Sequence, residues 1–467
     1  MSRRQLRPYQ VEDREKILRV LRQRRHPLYV LPTGGGKTTT FVEVAEIVSG
    51  AGWPTLILTH RWELLSQASQ TLHRLRLPHG LIYPGRMLAQ EDVYVASIDT
   101  LASRLDNYAP FLTKIRLVIV DEAHHAVCGK YMRVFDALDR ALRLGVTATP
   151  FRADGTGLGL VFDTAVEGPS MSWLTEQAYL VPVDIYAPPL HLDLRSVRIS
   201  CGDYSTSELE RILNNPDVTE PAVQQYARLA SGRPAIFFCV SRAHCVHVAE
   251  QLTKAGYAAA PVDGKMPEEV RIARLKGLAD GTLQALTSCE LVSEGTDVPN
   301  VEVGVMLRPT KSTGLFQQQG GRFTRPSVGK VRGILIDMVG NTLEHGMLDE
   351  ERAWSLDGGH EHRDVTPVHR CRSCFRVTRV DDRRQNCQDC GEALPARKLA
   401  ALCTPDDGKV NRRRVIASMS DDQLKTGGYR TLMRLARSVD DLERIARAKN
   451  YHRGWVRYQA KEKGLAA

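Results

Sequence analysis

Between Leu28 and Val48 a strand, a glycine turn and a helix follow one another without a gap. The apolar run Leu28-Tyr29-Val30-Leu31 has the composition of a buried strand. In Pro32-Thr33-Gly34-Gly35-Gly36-Lys37-Thr38, three successive backbone N–H groups have no Cβ in front of them. Phe41 to Val48 then reads as a helix. Such a turn can wrap its N–H groups around phosphate oxygens, and the helix adds its positive dipole end. In that geometry Lys37 reaches the β/γ-phosphates and Thr38 ligates Mg²⁺. Gly36-Lys37-Thr38 match the pattern G-x-x-x-x-G-K-[ST], but Leu31 stands where its first glycine belongs. The alternative is an ordinary glycine-rich turn before a helix.

The chain continues as an alternation. Pro54 to Thr59, Val93 to Ser97, Leu117 to Val120 and Leu142 to Val146 read as strands, and His60 to Leu75 as a helix. This alternation predicts an open, mostly parallel α/β sheet with ligands at the carboxyl ends of its strands. Asp121-Glu122 closes the apolar run Leu117 to Val120. Two adjacent carboxylates at the end of a buried strand are costly without a cation or a task. Phosphoryl transfer supplies both: Asp121 can hold Mg²⁺ and Glu122 can polarise the attacking water. The alternative is an acid pair capping a helix. Upstream, Leu6-Arg7-Pro8-Tyr9-Gln10 precedes the helical stretch Val11 to Leu21, and the Gln10 amide could read an adenine edge.

These stretches, in this order, resemble the superfamily 2 helicases and translocases. Leu6 to Gln10 resembles the adenine-reading motif, which implies nucleotide contacts for Arg7 and Gln10. Pro32 to Thr38 resembles motif I, which often lacks the first glycine in this superfamily. Leu58-Thr59-His60 and Ser97 to Leu101 resemble the strand-contact motifs Ia and Ib. Asp121 to His124 is the DEAH form of motif II, and Thr147-Ala148-Thr149-Pro150 resembles motif III.

A second lobe is expected after the segment from Phe151 to about Arg233, whose pattern is mixed. Pro234 to Val240, Ala258 to Val262, Leu283 to Thr287 and Val301 to Leu307 read as strands. Ser241 to Ala255 and Pro267 to Leu278 read as helices. Ser293-Glu294-Gly295-Thr296-Asp297 resembles motif V, which implies nucleotide-site roles for Gly295 and Asp297. Gln318-Gln319-Gly320-Gly321-Arg322-Phe323-Thr324-Arg325 resembles motif VI. Two arginines three apart at a helix start would share a face, so Arg322 and Arg325 are the arginine-finger candidates, with Gln318 beside them. The implied site is composite: catalytic Lys37, Asp121, Glu122, Arg322 and Arg325, with Thr33, Gly34, Gly35, Gly36 and Thr38 around the phosphates.

Cys371-x-x-Cys374 and Cys387-x-x-Cys390 are separated by twelve residues. Two such knuckles suit tetrahedral Zn²⁺ in a structural ribbon. Arg370, Arg372, Arg376, Arg379, Arg383, Arg384 and Phe375 crowd it, which leaves nucleic-acid contact and protein docking both open. Thr431 to Ala436 and Leu442 to Ala448 read as basic amphipathic helices, and Tyr451 to Tyr458 mixes aromatic and positive residues. A motor followed by a four-cysteine ribbon resembles the RadD-type repair helicases of bacteria and, more loosely, the UvsW-type phage helicases.

The fold expected is therefore α/β: two tandem RecA-like parallel-sheet lobes, a zinc ribbon and a C-terminal helical segment. The boundaries expected are 1–170 and 171–345 for the lobes, 346–366 for a linker, 367–395 for the ribbon and 404–467 for the basic tail. The net charge of +10 is concentrated late: 15 Lys/Arg against 8 Asp/Glu lie from Thr404 to Ala467. That surplus favours a nucleic-acid partner. Met1-Ser2-Arg3-Arg4 has no apolar core of a secretory signal, and no apolar run approaches a membrane span. Six of the ten cysteines are scattered, which argues for a reduced cytoplasm over a disulfide framework. The function expected is an ATP-dependent DNA helicase or translocase in replication, recombination or repair, with ATP, Mg²⁺ and Zn²⁺ as cofactors. Single-stranded, branched or duplex DNA is the expected partner, with no membrane and with protein partners through the ribbon or tail. The alternatives are an RNA helicase, the motor subunit of a restriction or defence assembly, and a binding module whose ATPase is only a switch.

Overall fold

The computed structural model describes residues 6–84, 91–150, 155–189, 192, 194–200, 202–289, 301–352, 354–358, 366–380 and 385–394, and in the tail 424, 436, 438–449, 451, 455–456 and 459–460. Met1–Leu394 forms one compact unit and Pro395–Ala467 a second.

The first lobe is a seven-stranded sheet of β1 (Pro27–Val30), β2 (Thr55–Thr59), β3 (Gly80–Ile82), β4 (Val93–Ser97), β5 (Leu117–Asp121), β6 (Leu142–Thr147) and β7 (Thr164–Glu167). Its order is β3-β4-β2-β5-β6-β1-β7, and every pairing is parallel. Helices cover both faces, so both side-chain directions of each strand are apolar. Ile57, Leu117 and Ile119 face one cluster with residues of α1 (Pro8–Arg22), α2 (Lys37–Gly50) and α3 (Trp62–Arg74). Leu56, Leu58, Val118 and Val120 face the other. Because β6 and β5 lie between β1 and β2, the carboxyl ends of β1, β5 and β6 are neighbours. The glycine turn, Asp121-Glu122 and Thr147 to Pro150 therefore emerge side by side.

The second sheet joins β8 (Val183–Tyr186), β11 (Ala235–Phe238), β12 (Ala259–Val262), β13 (Ala285–Ser288), β14 (Val303–Met306) and β15 (Gly333–Asp337) in the order β12-β13-β11-β14-β15-β8. These six are parallel. A short hairpin, β9 (Ile199–Ser200) and β10 (Asp203–Tyr204), lies apart. The lobe does not begin at residue 171. Leu174, on the helix Met171–Glu176, and Leu180 are buried in the first lobe's core, so the second lobe's sheet starts at Val183.

Two further departures concern the stretch after 345. The ribbon is no separate body: β16 (Val368–Arg370) and β17 (Arg376–Arg379) extend the second sheet, with β17 antiparallel to β8. Asp184 on β8 takes charge-assisted bonds from Arg376 at 2.5 Å and Arg332 at 2.7 Å, which fasten that edge. Nor is 346–366 a plain linker. The chain returns to the first lobe, where Leu356 accepts a bond from Gly159 N at 2.7 Å and Gly358 bridges Thr156. Trp354 and Leu356 pack on the first lobe's second core.

The tail unit contains the helix Val439–Ala448, capped reciprocally by Ser438 and Asp441. Leu424, Ala436, Leu442, Ile445 and Ala460 form its core, with Trp455 packed on it. Of the expected helix Thr431 to Ala436, only Ala436 is described.

Candidate active site

The turn after β1 is held from beneath and from behind. Gly34 and Gly36 have φ of 87° and 90°, the left-handed region that glycine enters without strain. Leu31 is fully buried, and a Cβ on Gly35 would lie 2.8 Å from its Cγ. The residue in place of the motif's first glycine thus anchors the turn in the core. Tyr9 Oη donates to the Gly35 carbonyl at 2.6 Å, and Gln10 Nε2 donates to the Gly35 and Gly36 carbonyls at 3.3 Å each. Arg7 N donates to Gln10 Oε1 at 3.0 Å. The helix starts at Pro8, so Tyr9 and Gln10 sit in its first turn rather than ahead of it. Gln10, expected to read a base, here clamps the turn, and a Cβ on Gly36 would meet its Nε2 at 2.4 Å. Tyr9 completes the clamp, and its signal in the sequence is a large aromatic beside that glutamine.

Lys37 opens α2, and its ammonium donates to the Leu31 carbonyl at 3.4 Å. Burial lowers its pKa; Glu122 and Asp121 oppose the shift, and Arg322 and Arg325 add to it. Asp121 is buried at the end of β5 and accepts the Glu122 N–H at 3.0 Å. Glu122 has φ 52°, strained for a residue with a side chain. This conformation leads the chain into the 3₁₀ turn Ala123–His125. Glu122 Oε2 is buried with no hydrogen-bond partner among the described residues and lies 3.4 Å from His124 Nδ1. His124 Nδ1 is also 3.2 Å from Thr147 Oγ1, which bonds the backbone of Thr149. Motifs II and III are therefore one hydrogen-bonded chain.

The second lobe supplies the roof. Arg322 and Arg325 were expected at a helix start, but the helix Thr313–Gly320 ends before them. Gly321 caps it at φ −65°, and both arginines follow in the turn. Gly321 allows close approach, since a Cβ there would lie 2.4 Å from Thr33 Cβ in the opposite lobe. Thr149 makes a looser approach, its Oγ1 lying 3.3 Å from a Cβ built on Gly314. Gln318 and Arg322 are both buried. One cavity of about 1200 Å³ is bordered by Arg7, Gln10, Thr33, Gly34, Gly36, Lys37, Thr38, Asp121, Glu122, Gln318, Arg322 and Arg325. Gly35 lies behind it, in contact with Leu31. Gly295 and Asp297 lie outside the described residues, as do Phe151 and Arg152.

At the far edge of the second sheet, the sulfurs of Cys371, Cys374, Cys387 and Cys390 all lie within 4.8 Å of one another. The Cys371–Cys390 and Cys374–Cys387 pairs are 3.5 Å apart. A tetrahedral Zn²⁺ at about 2.3 Å from each thiolate requires sulfurs about 3.8 Å apart, so the donor set fits. The knuckles repeat one geometry: Phe375 and Gly391 have φ of 68° and 76°, and their N–H groups donate to Cys371 and Cys387. Two of the arginines expected around the site are committed to the fold. Arg376 holds Asp184, and Arg379 holds Asp349 at 2.7 Å. The Arg228 guanidinium sits over the Phe375 ring. Arg383 and Arg384 lie outside the described residues.

Residues 3–152 match the family described as the res subunit of type III restriction enzymes, and residues 219–327 match the helicase conserved C-terminal domain. A 51.5 kDa protein of a Lactococcus phage is 30% identical over 378 residues, covering 80% of this chain and 77% of its own. The chain belongs to the superfamily 2 helicases. The Saccharomyces cerevisiae protein IRC3, named for ATP-dependent helicase activity, is 28% identical over 72% of this chain, which spans about half (51%) of that relative's length. A fragment assigned as the HsdR subunit of a Vibrio vulnificus type I restriction enzyme superposes with a TM-score of 0.57 at 20% identity, over 76% of this chain and 67% of that one. A DNA-bound type ISP restriction-modification enzyme, LlaBIII, gives 0.54 at 15% identity over 72% of this chain and 28% of that one. At those identities the likeness is one of fold, and it is the paired RecA-like lobes that match. Membership of this helicase superfamily brings ATP and Mg²⁺ as cofactors, while the four-cysteine cluster is compatible with zinc.

Proposed function

We propose that this helicase-superfamily chain is a DNA helicase or translocase that hydrolyses ATP between its two lobes and steps along or remodels DNA in replication, recombination or repair. The observation that supports it best is the cavity walled by Lys37, Asp121 and Glu122 on one side and Arg322 and Arg325 on the other. In this reading the turn Thr33 to Thr38 binds the phosphates. Thr38 and the buried Asp121 are the residues that would hold Mg²⁺, which supplies charge neutralisation on the β/γ-oxygens. Glu122 Oε2, buried without a hydrogen-bond partner among the described residues, accepts a proton from the attacking water. Lys37, Arg322 and Arg325 stabilise charge on the transferring group. Loss of the γ-phosphate releases the roof, and His124, Thr147 and Thr149 carry that change toward Gly314 in the other lobe. Gly295 and Asp297 belong to the same site by resemblance alone.

Zn²⁺ held by the four thiolates completes the edge of the second sheet, and the ribbon and tail are the surfaces for protein partners. The finer likeness to RadD-type repair helicases is part of this proposal, as is a cytoplasmic location, supported by thiols gathered for a metal. Among the described residues no helix is long and apolar enough to cross a membrane. A second reading, the motor of a restriction or defence assembly, is favoured by the restriction-subunit family match over residues 3–152.

The test is the ATPase rate with single-stranded, duplex and branched DNA and with RNA at fixed salt. DNA stimulation is expected, and Glu122→Gln should abolish turnover while leaving DNA binding intact. Stimulation by RNA alone would refute the DNA assignment. Full turnover in Glu122→Gln would refute the role given to that carboxylate.

A further inference from the structure

The segment from Pro326 to Arg332 joins the arginine turn to β15, and its side chains point the wrong way for its composition. Val328 and Val331 are fully or largely exposed, while Lys330 between them is 7% exposed. A turn at Ser327 to Lys330, closed by Lys330 N to Ser327 O at 3.1 Å and opened by Gly329 at φ 81°, swings the lysine inward. A buried lysine stays only where its ammonium finds acceptors. Here it finds two backbone carbonyls, Val301 at 2.5 Å and Arg325 at 2.9 Å. Val301 leads into β14 at the centre of the second sheet, and Arg325 is the second finger candidate. The side chain of Arg325 lies across the interface, 3.5 Å from a Cβ built on Gly34.

We propose that Lys330 is a positioning residue for catalysis: its buried ammonium cross-links the carbonyls of Arg325 and Val301 and so fixes the arginine turn to the second sheet. The inference rests on the ATPase reading above. Two carbonyl dipoles converging on one ammonium define its place, and the guanidinium only one residue's length away inherits that definition. Burial holds the lysine's pKa down to about 8, with Glu302 raising it and Arg325 lowering it further. The charge is thus kept at a cost, which a merely space-filling residue would not impose. A shift of about 1 Å in a charge-stabilising group lowers turnover by up to about a hundredfold.

The experiment measures kcat and KM for ATP, at saturating DNA, in the wild type, Lys330→Met, Lys330→Arg, Arg325→Ala and the double variant Lys330→Met/Arg325→Ala. Thermal melts report folding. Lys330→Met should lower kcat about tenfold to a hundredfold with KM changed less than about threefold, and Lys330→Arg should recover part of the loss. In the Arg325→Ala background, Lys330→Met should cost nothing further, because the two residues act as one device. Equal losses in both backgrounds would overturn the proposal, as would wild-type kcat in Lys330→Met. If Lys330→Met fails to fold, Lys330→Arg carries the cycle alone and must show the same dependence on Arg325. Absence of ATP turnover in the wild type would instead overturn the ATPase reading.

Discussion

Gly321→Ala tests the composite site at its tightest point. Gly321 has φ −65°, so alanine is not strained there by its backbone. The added methyl would lie 2.4 Å from Thr33 Cβ and 2.6 Å from Thr33 Cγ2. Ordinary contact begins at 3.4 Å, so the lobes must part by about 1 Å at that point. No apolar core is disturbed, since the collision falls between the lobes. Each lobe should keep its stability, and only closure should suffer. A misplacement of about 1 Å at the roof of a phosphoryl-transfer site costs up to about a hundredfold in rate, or about 2.7 kcal/mol. Steady-state ATPase assays at saturating DNA should therefore show kcat reduced tenfold or more, with the melting temperature within about 2 °C of wild type. Thr33→Gly removes the colliding Cβ, so Gly321→Ala/Thr33→Gly should run faster than Gly321→Ala alone. Unchanged kcat in Gly321→Ala would show that the lobes never approach this closely during turnover. Failure of Thr33→Gly to relieve the defect would show that the methyl acts elsewhere, and the reasoning would fall with it.

Two other perturbations address parts that reach beyond the cleft. Trp354→Ala empties a side chain partly buried on the first lobe's core, so urea unfolding should show a loss of about 2 kcal/mol; an unchanged midpoint would show the return segment to be loosely attached. Asp184→Ala removes the carboxylate shared by Arg376 and Arg332, leaving Arg376 with Asp389 and the Tyr186 hydroxyl and Arg332 half exposed, and about 2 kcal/mol should be lost from the ribbon's attachment, read by proteolysis between Thr366 and Leu394 and by zinc retention. Burial would raise the pKa of Asp184, but the hydrogen bonds from Arg376 and Arg332 outweigh it and hold the carboxyl below its ordinary value. Its contribution is present above the unfolded value of about 3.9 and is lost as pH falls through the folded one. Ribbon protection should thus fail at acid pH in the wild type and already be weak at neutral pH in Asp184→Ala.

The legible part of the fold was the part written locally. The apolar runs of β1, β2, β4, β5 and β6 each announce a buried strand, and Gly36-Lys37-Thr38 and Asp121-Glu122 stand where those strands end. The illegible part depends on partners far along the chain. Val183-Asp184-Ile185-Tyr186 carries an acid in mid-strand and makes sense only beside Arg332 and Arg376. Trp354 and Leu356 lie in a polar stretch with no periodicity, and they pack on the distant cluster that includes Leu158, Val161 and Phe162. Gly320 and Gly321 are there for close packing, since built Cβ atoms would meet Leu348 and Thr33, and Gly321 is still at φ −65° where the helix ends, so no local signal places both arginines after the helix.

The return of the chain from the second lobe to the first changes what cleft opening can mean. Gly157 would collide through a Cβ with the Asp357 backbone at 2.4 Å, and Gly159 N bonds Leu356 O, so that junction is backbone against backbone. Such a seam resists sliding more than a seam of side chains, because neither partner has a rotamer to change. On the opposite helices, Trp62 donates to Glu268 at 2.7 Å and Arg271 pairs with Glu63 at 2.9 Å, contacts made by side chains that can release. The backbone seam and these side-chain pairs are thus two kinds of contact, beside the close approaches of Thr33 to Gly321 and of Thr149 to Gly314. If the side-chain pairs release before the backbone seam, a distance probe across Trp62 and Glu268 should change more on ATP addition than one across Gly159 and Leu356, and equal changes would refute that order.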